Sequence, residues 1–488
     1  MTRLGKTSII AGTANLLLFL LTGVMSYDQQ QLHYFNLAEA QEAIEEGAIE
    51  EGAAEEEEEE AEEEDEGEEE ACIDYDSAEN TIAINCDGSF LDVVQAINDD
   101  PEILEDLGNG EYLLNANLEV ADGVTFEMNS DEDDLQYLKI AGVNGIIVQG
   151  RIEISGIIIT SWDTEANSPI FQTITGSVPR AFINLRESEG GFVHDSEIAY
   201  LGYQEFGRRG FDLFGDGPSH DLEIRGSKFH NMWFAFYSRG AYNIVVDENE
   251  YYDNIKYALD PHSGTHDMNI TNNWLHHNPI GVICSDRCYN ILIEENLVEH
   301  NTDYGIFLSR NMYDSIVRDN HVSNNPSGIT VSESPNNQIY NNTIEGATRS
   351  GIRLFNPELP DDGVTEGNLV YNNVISSSDD GISAARSHDN ILESNTFSDI
   401  ESSEYRLSGG SSIIIRGQHF DNALIGQEGS ATENVVEIVD SGIIEVIEGE
   451  SDGGEEEESE GELHNTNGEP YRRTLSDGDS ITVNSSSS

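Results

Sequence analysis

The feature that most constrains this chain is internal repetition. Six stretches align: DLEIRGSKFHN from Asp221, NIVVDENEYYDN from Asn243, DMNITNNWLHHN from Asp267, NILIEENLVEHN from Asn290, DSIVRDNHVSNN from Asp314 and NQIYNNTIEGAT from Asn337. The period is 22 to 24 residues, and the units close with Gly-Ile-like pairs at Gly281-Val282, Gly305-Ile306, Gly328-Ile329 and Gly351-Ile352. Three short strands with turns between them use about 22 residues, and such coils stack at roughly 4.8 Å per rung. A leucine-rich repeat lacks its leucines here, and β-branched strands with frequent Gly disfavour an α-solenoid. The expected fold is therefore all-β, a right-handed parallel β-helix. Asn recurs at one register, at Asn249, Asn273, Asn296, Asn320 and Asn342, and again at Asn373 and Asn395. Asn at one turn of successive coils predicts a hydrogen-bonded ladder along the stack.

Upstream of the repeats, Ser89 precedes a helical pattern with apolar Phe90, Val93, Val94 and Ile97, which predicts one helix capping the first rung. The predicted organisation is a signal peptide or membrane anchor at 1–26, an acidic linker at 27–71, an N-terminal cap at 72–111, the β-helix at 112–448 and an acidic, Ser-rich tail at 449–488. Arg3 and Lys6 followed by the apolar run at 8–25 have the layout of an export signal, so the chain is expected to be secreted or at the cell surface. Any membrane attachment would run through that segment alone. With 95 Asp+Glu against 22 Lys+Arg and a formal net charge of -73, the chain repels nucleic acid. Glu runs at 55–60 and 455–458 carry part of that charge and lack the apolar content to pack.

Four cysteines in an exported chain suggest the disulfides Cys72–Cys86 and Cys284–Cys288, with buried thiols as the alternative. The second bond requires a turn, since four extended residues separate Cα atoms by roughly 13 Å. The spacing does not suit a zinc site.

In the repeat frame, one strand and its exit turn collect polar residues on successive rungs: Arg239, then Asp260 and His262, then Asp286 and Arg287, then Arg310, then Glu333. Stacked registers place them on one face. Arginine is scarce here, so three on nearby rungs beside carboxylates and a histidine suggest a groove for an extended anionic polymer. A charged ladder on a solvated face is the plain structural alternative. His276 and His277 fall near the same turn in this frame and are further candidate substrate contacts.

The segment YALDPHSGTHD at 257–267 resembles the signature of mannuronan C-5 epimerases. The resemblance extends to GIIITSWD at 156–163, SEIAYLGY at 196–203, FAFYSRG at 234–240 and GVICSDRCYNILIEEN at 281–296, and so covers roughly 112–395. The GTHD and ICSxxCYN pieces look most like the brown-algal and archaeal branches. Bacterial periplasmic members carry DPHD where this chain has Ser263. The resemblance implies conversion of β-D-mannuronate to α-L-guluronate within a polymer, with Tyr257, Asp260 and His262 in the catalytic motif. Rung geometry adds Arg287, or Arg310 one rung on, to neutralise the substrate carboxylate, because the C-5 proton is acidic only when that charge is met. Proton removal and return must come from opposite faces of the sugar.

Two alternatives stay open at this point. A uronate lyase shares carboxylate neutralisation and proton abstraction but expels the 4-linked sugar; a non-catalytic solenoid would bind polysaccharide without turnover. No cofactor is required by this chemistry, with calcium left open, and a monomer acting on an anionic polysaccharide is expected.

Overall fold

The computed structural model describes residues 71–416, except 98–99, 358–362 and 409–410, together with the backbone of five later strands. The export segment and the acidic linker lie outside the described residues. Each repeat folds as one coil of three strands, for example Tyr242–Asp247, Glu250–Tyr252 and Tyr257–His262, followed by His266–Thr271, Trp274–His276 and Ile280–Ser285. Stacking in parallel register gives three sheets of 15, 14 and 17 strands, respectively. The result is the expected right-handed parallel β-solenoid, of about 12 turns. No described helix is long and apolar enough to cross a membrane.

Alternation explains the core. In the rung at 266–285 the side chains of Met268, Ile270, Leu275, Val282 and Cys284 point inward, and each is fully buried with its counterparts above and below. A buried aliphatic side chain of this kind contributes about 1.5–3 kcal/mol. The glycines that open the 17-stranded sheet's strands answer a close backbone approach: a Cβ on Gly281 or Gly305 would sit 2.7 Å from the next rung's glycine carbonyl. The recurring Asp or Asn at the head of each unit is a left-handed corner, with φ of 56°, 51°, 53° and 49° at Asn243, Asp267, Asn290 and Asp314, a conformation short polar side chains tolerate. In the next rung Asn336, rather than Asn337, takes that corner, with φ of 60°.

The asparagine ladder forms along one corner. Asn249 Nδ2 donates to Asn273 Oδ1, Asn273 to Asn296, Asn296 to Asn320 and Asn320 to Asn342, at 2.9–3.0 Å. It continues through Asn373 to Asn395. A second ladder, Asn254–Asn278–Asn301–Asn325, runs along another corner.

The ends differ from expectation. The helix Phe90–Ile97 does cover the first coils, burying Phe90 and Val93. Its cap bond runs from the Ser89 amide to Asp92 Oδ2 at 2.8 Å. However, Thr81–Ile84 already pairs in parallel with Asn117–Val120, so the solenoid starts inside the segment expected to be cap alone. At the other end Tyr471–Leu475 and Ser480–Ser485 fall in the expected tail, yet they pair antiparallel with Asn434–Val439 and Ile444–Gly449. Antiparallel return strands satisfy edge groups that parallel stacking would leave open. Cys72 and Cys86 are joined, with Cα atoms 5.2 Å apart. Cys284 and Cys288 are not: both are free, buried thiols. Cys284 belongs to the inward row of its strand, and Cys288 Sγ instead donates to the Ser285 carbonyl at 3.1 Å across the turn.

Candidate active site

Site geometry follows from the 17-stranded sheet. The strand Tyr257–His262 lies between Phe234–Arg239 and Ile280–Ser285, with Tyr237 paired to Asp260, Arg239 to His262 and His262 to Ser285. Ser285, Ser309 and Ser332 continue the same row. Asp260 and His262 are two residues apart on one strand, which sends both side chains to the outer face. Both are nonetheless buried.

His262 is held at both nitrogens. Its Nδ1 lies 2.6 Å from Ser263 Oγ, and its Nε2 lies 3.2 Å from Arg310 Nη2. A guanidinium can only donate, so Nε2 accepts, and the ring proton sits on Nδ1 and is donated to the serine. In this geometry Nε2 presents its lone pair to the arginine. The ring packs against Tyr237 at 5.6 Å between centroids.

The corner beyond these strands carries the other charges. Arg287 Nη2 bonds Asp286 Oδ1 at 2.9 Å. Burial pushes the Asp286 carboxyl up, but Arg287, His262 and the Ser263 hydroxyl together hold it below the usual range. Asp286 and Arg287 are consecutive left-handed residues (φ 60° and 62°), as are Arg310 and Asn311 (49° and 63°). Non-glycine residues in this region cost of order 1–3 kcal/mol each, and stacking fixes them here: Arg287 N bonds Arg310 O at 2.9 Å, and Asn311 N bonds Glu333 O at 2.7 Å. Glu333 is buried at the same corner, whereas the Arg287 side chain is 61% exposed.

Two other residues border this centre. Arg239 heads the row and lies over the Phe214 ring at 5.6 Å. Tyr257 starts the same strand as His262, roughly 16 Å from it along the backbone. Its ring meets Phe234 edge-on at 5.1 Å beside Trp233 and Tyr237.

His276 and His277 are not brought to this site. His276 ends a strand of the 14-stranded sheet, stacked on Tyr252 with its Nε2 3.3 Å from Glu250, and His277 forms the corner after it. The repeat frame located the rung correctly, but these residues occupy a different side of it. Among the described residues no group of three or more His, Cys, Asp or Glu is placed to hold a metal ion.

Sequence reasoning overlooked a layer behind the site. Asp212, Tyr237 and Asp260 occupy one row on consecutive rungs. The Arg209 guanidinium is sandwiched between Phe206 at 4.1 Å and Tyr237 at 4.2 Å. Asp212 is fully buried, and burial raises its carboxyl to about 7 against the opposing Arg209 amide bond and charge. The FAFYSRG stretch, which contains Tyr237, was the available signal; nothing local marks Asp212.

Comparison with known proteins bears on the fold that carries these residues. A family model described as a right-handed β-helix region matches 212–359. The mannuronan C5-epimerase of Pseudomonas aeruginosa is 27% identical over 208 residues, covering 40% of this chain and 37% of that protein. The mannuronan C5-epimerase AlgG of Azotobacter vinelandii is 27% identical over 176 residues, 34% of this chain and 33% of its own length. Over this part of its length the chain is similar to mannuronan C5-epimerases. It aligns with about a third of those curated relatives' length. In three dimensions, the crystal structure of the periplasmic alginate epimerase AlgG superposes with a TM-score of 0.55 at 21% identity, covering 74% of this chain and 84% of that one. This likeness establishes the shared fold.

Proposed function

We propose that the chain is an isomerase that inverts C-5 of β-D-mannuronate, or a similar uronate, within a polysaccharide. The observation that carries this reading is the contact between His262 Nε2 and Arg310 at 3.2 Å, on the strand that bears the DPH motif. A substrate carboxylate entering the corner is a better partner for the guanidinium than an imidazole is. Arg310, with Arg287 beside it, then neutralises the carboxylate, and the Nε2 lone pair is released. His262 takes the C-5 proton from one face as the C–H electron pair moves into the neutralised carboxylate. Asp260, two residues back on the same outer face, stabilises the imidazolium. Tyr257 returns a proton from its phenol to the opposite face; solvent then restores both side chains. Arg239 and the Asp286 corner line the approach. Ser263 stands where bacterial periplasmic members carry a carboxylate, and serves here as the His262 Nδ1 acceptor.

The enzyme is proposed to act as a monomer, since one chain carries every residue the scheme uses. An extracellular or periplasmic location fits a polymeric substrate. Incubation with poly-mannuronate in deuterated water tests the reading. Deuterium at C-5 of new guluronate, with chain length unchanged, is the expected result; shortened chains with unsaturated ends and no deuterated guluronate would assign the lyase reaction instead.

A further inference from the structure

Many cations elsewhere on this strongly acidic chain are matched by carboxylates, while Arg180 and Arg386 bond backbone carbonyls and Arg239 lies over a ring. Lys139 pairs with Glu111, Arg151 with Glu153, Lys228 with Glu250, and Arg318 with Glu294. Arg225 is held by both Glu223 and Asp247. Arg353 departs from this pattern. It lies on the strand Ser350–Phe355 of the site sheet, half-buried, and forms no ion pair with any described residue. Its neighbours in the row are the hydroxyl residues Thr330 and Ser383. Its guanidinium rests over the Phe355 ring at 4.4 Å, a cation–π contact that orients it without neutralising it. The next cation along the row, Arg406, is already bonded to Asp380 at 2.7 Å.

Position gives Arg353 its meaning. Leu259 pairs with Val282, so Asp260 lies beside Ile283, and Ile283, Phe307, Thr330 and Arg353 follow one another in register. Arg353 is therefore four rungs from Asp260 on the same outer row, roughly 19 Å at the inter-strand spacing. The three intervening positions carry no charge. A 1,4-linked uronate in an extended chain advances by close to one rung, so a polymer lying along the solenoid axis with its reacting unit at His262 would bring the carboxylate about four units away to Arg353.

We propose that Arg353 is a distal anchoring site for a uronate carboxylate, which makes this chain selective for polymers longer than about five units. The inference rests on the reading of the site as one that takes a polyuronate. A net charge of -73 repels such a ligand, and an uncompensated arginine on the groove face holds it locally where the rest of the surface does not.

The test compares the wild-type chain with Arg353→Gln and Arg353→Lys on mannuronate oligomers of three and eight units. The wild type should show a higher kcat/KM on the octamer. Arg353→Gln should lose about tenfold on the octamer, chiefly in KM, and change less than twofold on the trimer, while Arg353→Lys should retain most of the octamer's advantage. Equal losses on both oligomers, or no loss on either, overturn the assignment. If the wild type turns over neither oligomer, the catalytic reading fails on its own. Calorimetric titration with the octamer then decides the anchoring site: about tenfold weaker binding by Arg353→Gln supports it, and unchanged binding refutes it.

Discussion

Asp212 gives the sharpest test of the layer behind the site. Its Oδ2 accepts the Arg209 amide at 2.7 Å, while its Oδ1 is buried with no hydrogen-bond partner among the described residues. Burial therefore favours the protonated form and raises the carboxyl to about 7, against 3.8 when exposed. A folded-state value above the unfolded one means the native state binds the proton more tightly. The sign follows: there is no penalty below about pH 4, where both states are protonated. The penalty grows through the window from about 4 to about 7 and is complete above it. At about 1.4 kcal/mol per unit the full gap is on the order of 4 kcal/mol. Asp212→Asn keeps the acceptor for the Arg209 amide and removes the titration. Titration of the many other acidic groups is common to both proteins, so their difference isolates this one. Denaturant unfolding from pH 4 to pH 8 should show the variant gaining about 2–4 kcal/mol over wild type across that range. Parallel stability curves, differing by less than about 0.5 kcal/mol in slope over the window, would refute the reasoning.

Other expectations are briefer. Asp260→Asn should lower turnover of poly-mannuronate at least tenfold with unchanged circular dichroism, since loss of a preorganised charge at a reacting centre costs about 2.7–4 kcal/mol in comparable sites. Arg310→Ala should abolish deuterium exchange at C-5, and Arg287→Ala should reduce it at least tenfold; a normal rate in the Arg287 variant would leave carboxylate neutralisation to Arg310 alone. Asn296→Ala removes the acceptor of the Asn273 amide at 2.9 Å and the donor to the Ile270 carbonyl at 2.9 Å, both buried, so denaturant unfolding should report a loss of about 2–5 kcal/mol, while Asn290→Ala at the exposed corner should change stability by less than about 1 kcal/mol.

The repeat made the fold legible because each coil places the same physical demand at the same position. Corner residues must tolerate positive φ, so Asp or Asn returns there; glycine returns where backbones of adjacent rungs approach; asparagine returns where a buried turn needs both a donor and an acceptor. Periodicity of this kind assigns a residue to a rung, and Asp260, His262, Asp286 and Arg310 were placed near one another on that basis. It assigns the side of the rung less securely. His276 sits on the 14-stranded sheet and His277 at the corner after it because the short strand Trp274–His276 ends one corner before the site strand begins, and one corner of a three-sided coil changes which face a side chain meets. Cys284 and Cys288 show the same limit at smaller scale. Four residues and a turn suffice to bring two cysteines near, yet inward alternation placed Cys284 in the core and left Cys288 to bond the Ser285 carbonyl. Asp212 was beyond reach for another reason. Its altered acidity comes from burial among residues of neighbouring rungs, and local sequence does not encode the depth at which a carboxyl will lie. The chemistry of this site thus depends on both kinds of information: repetition aligns His262 with Arg310 two rungs away, and packing between rungs sets which of the aligned groups carries a proton.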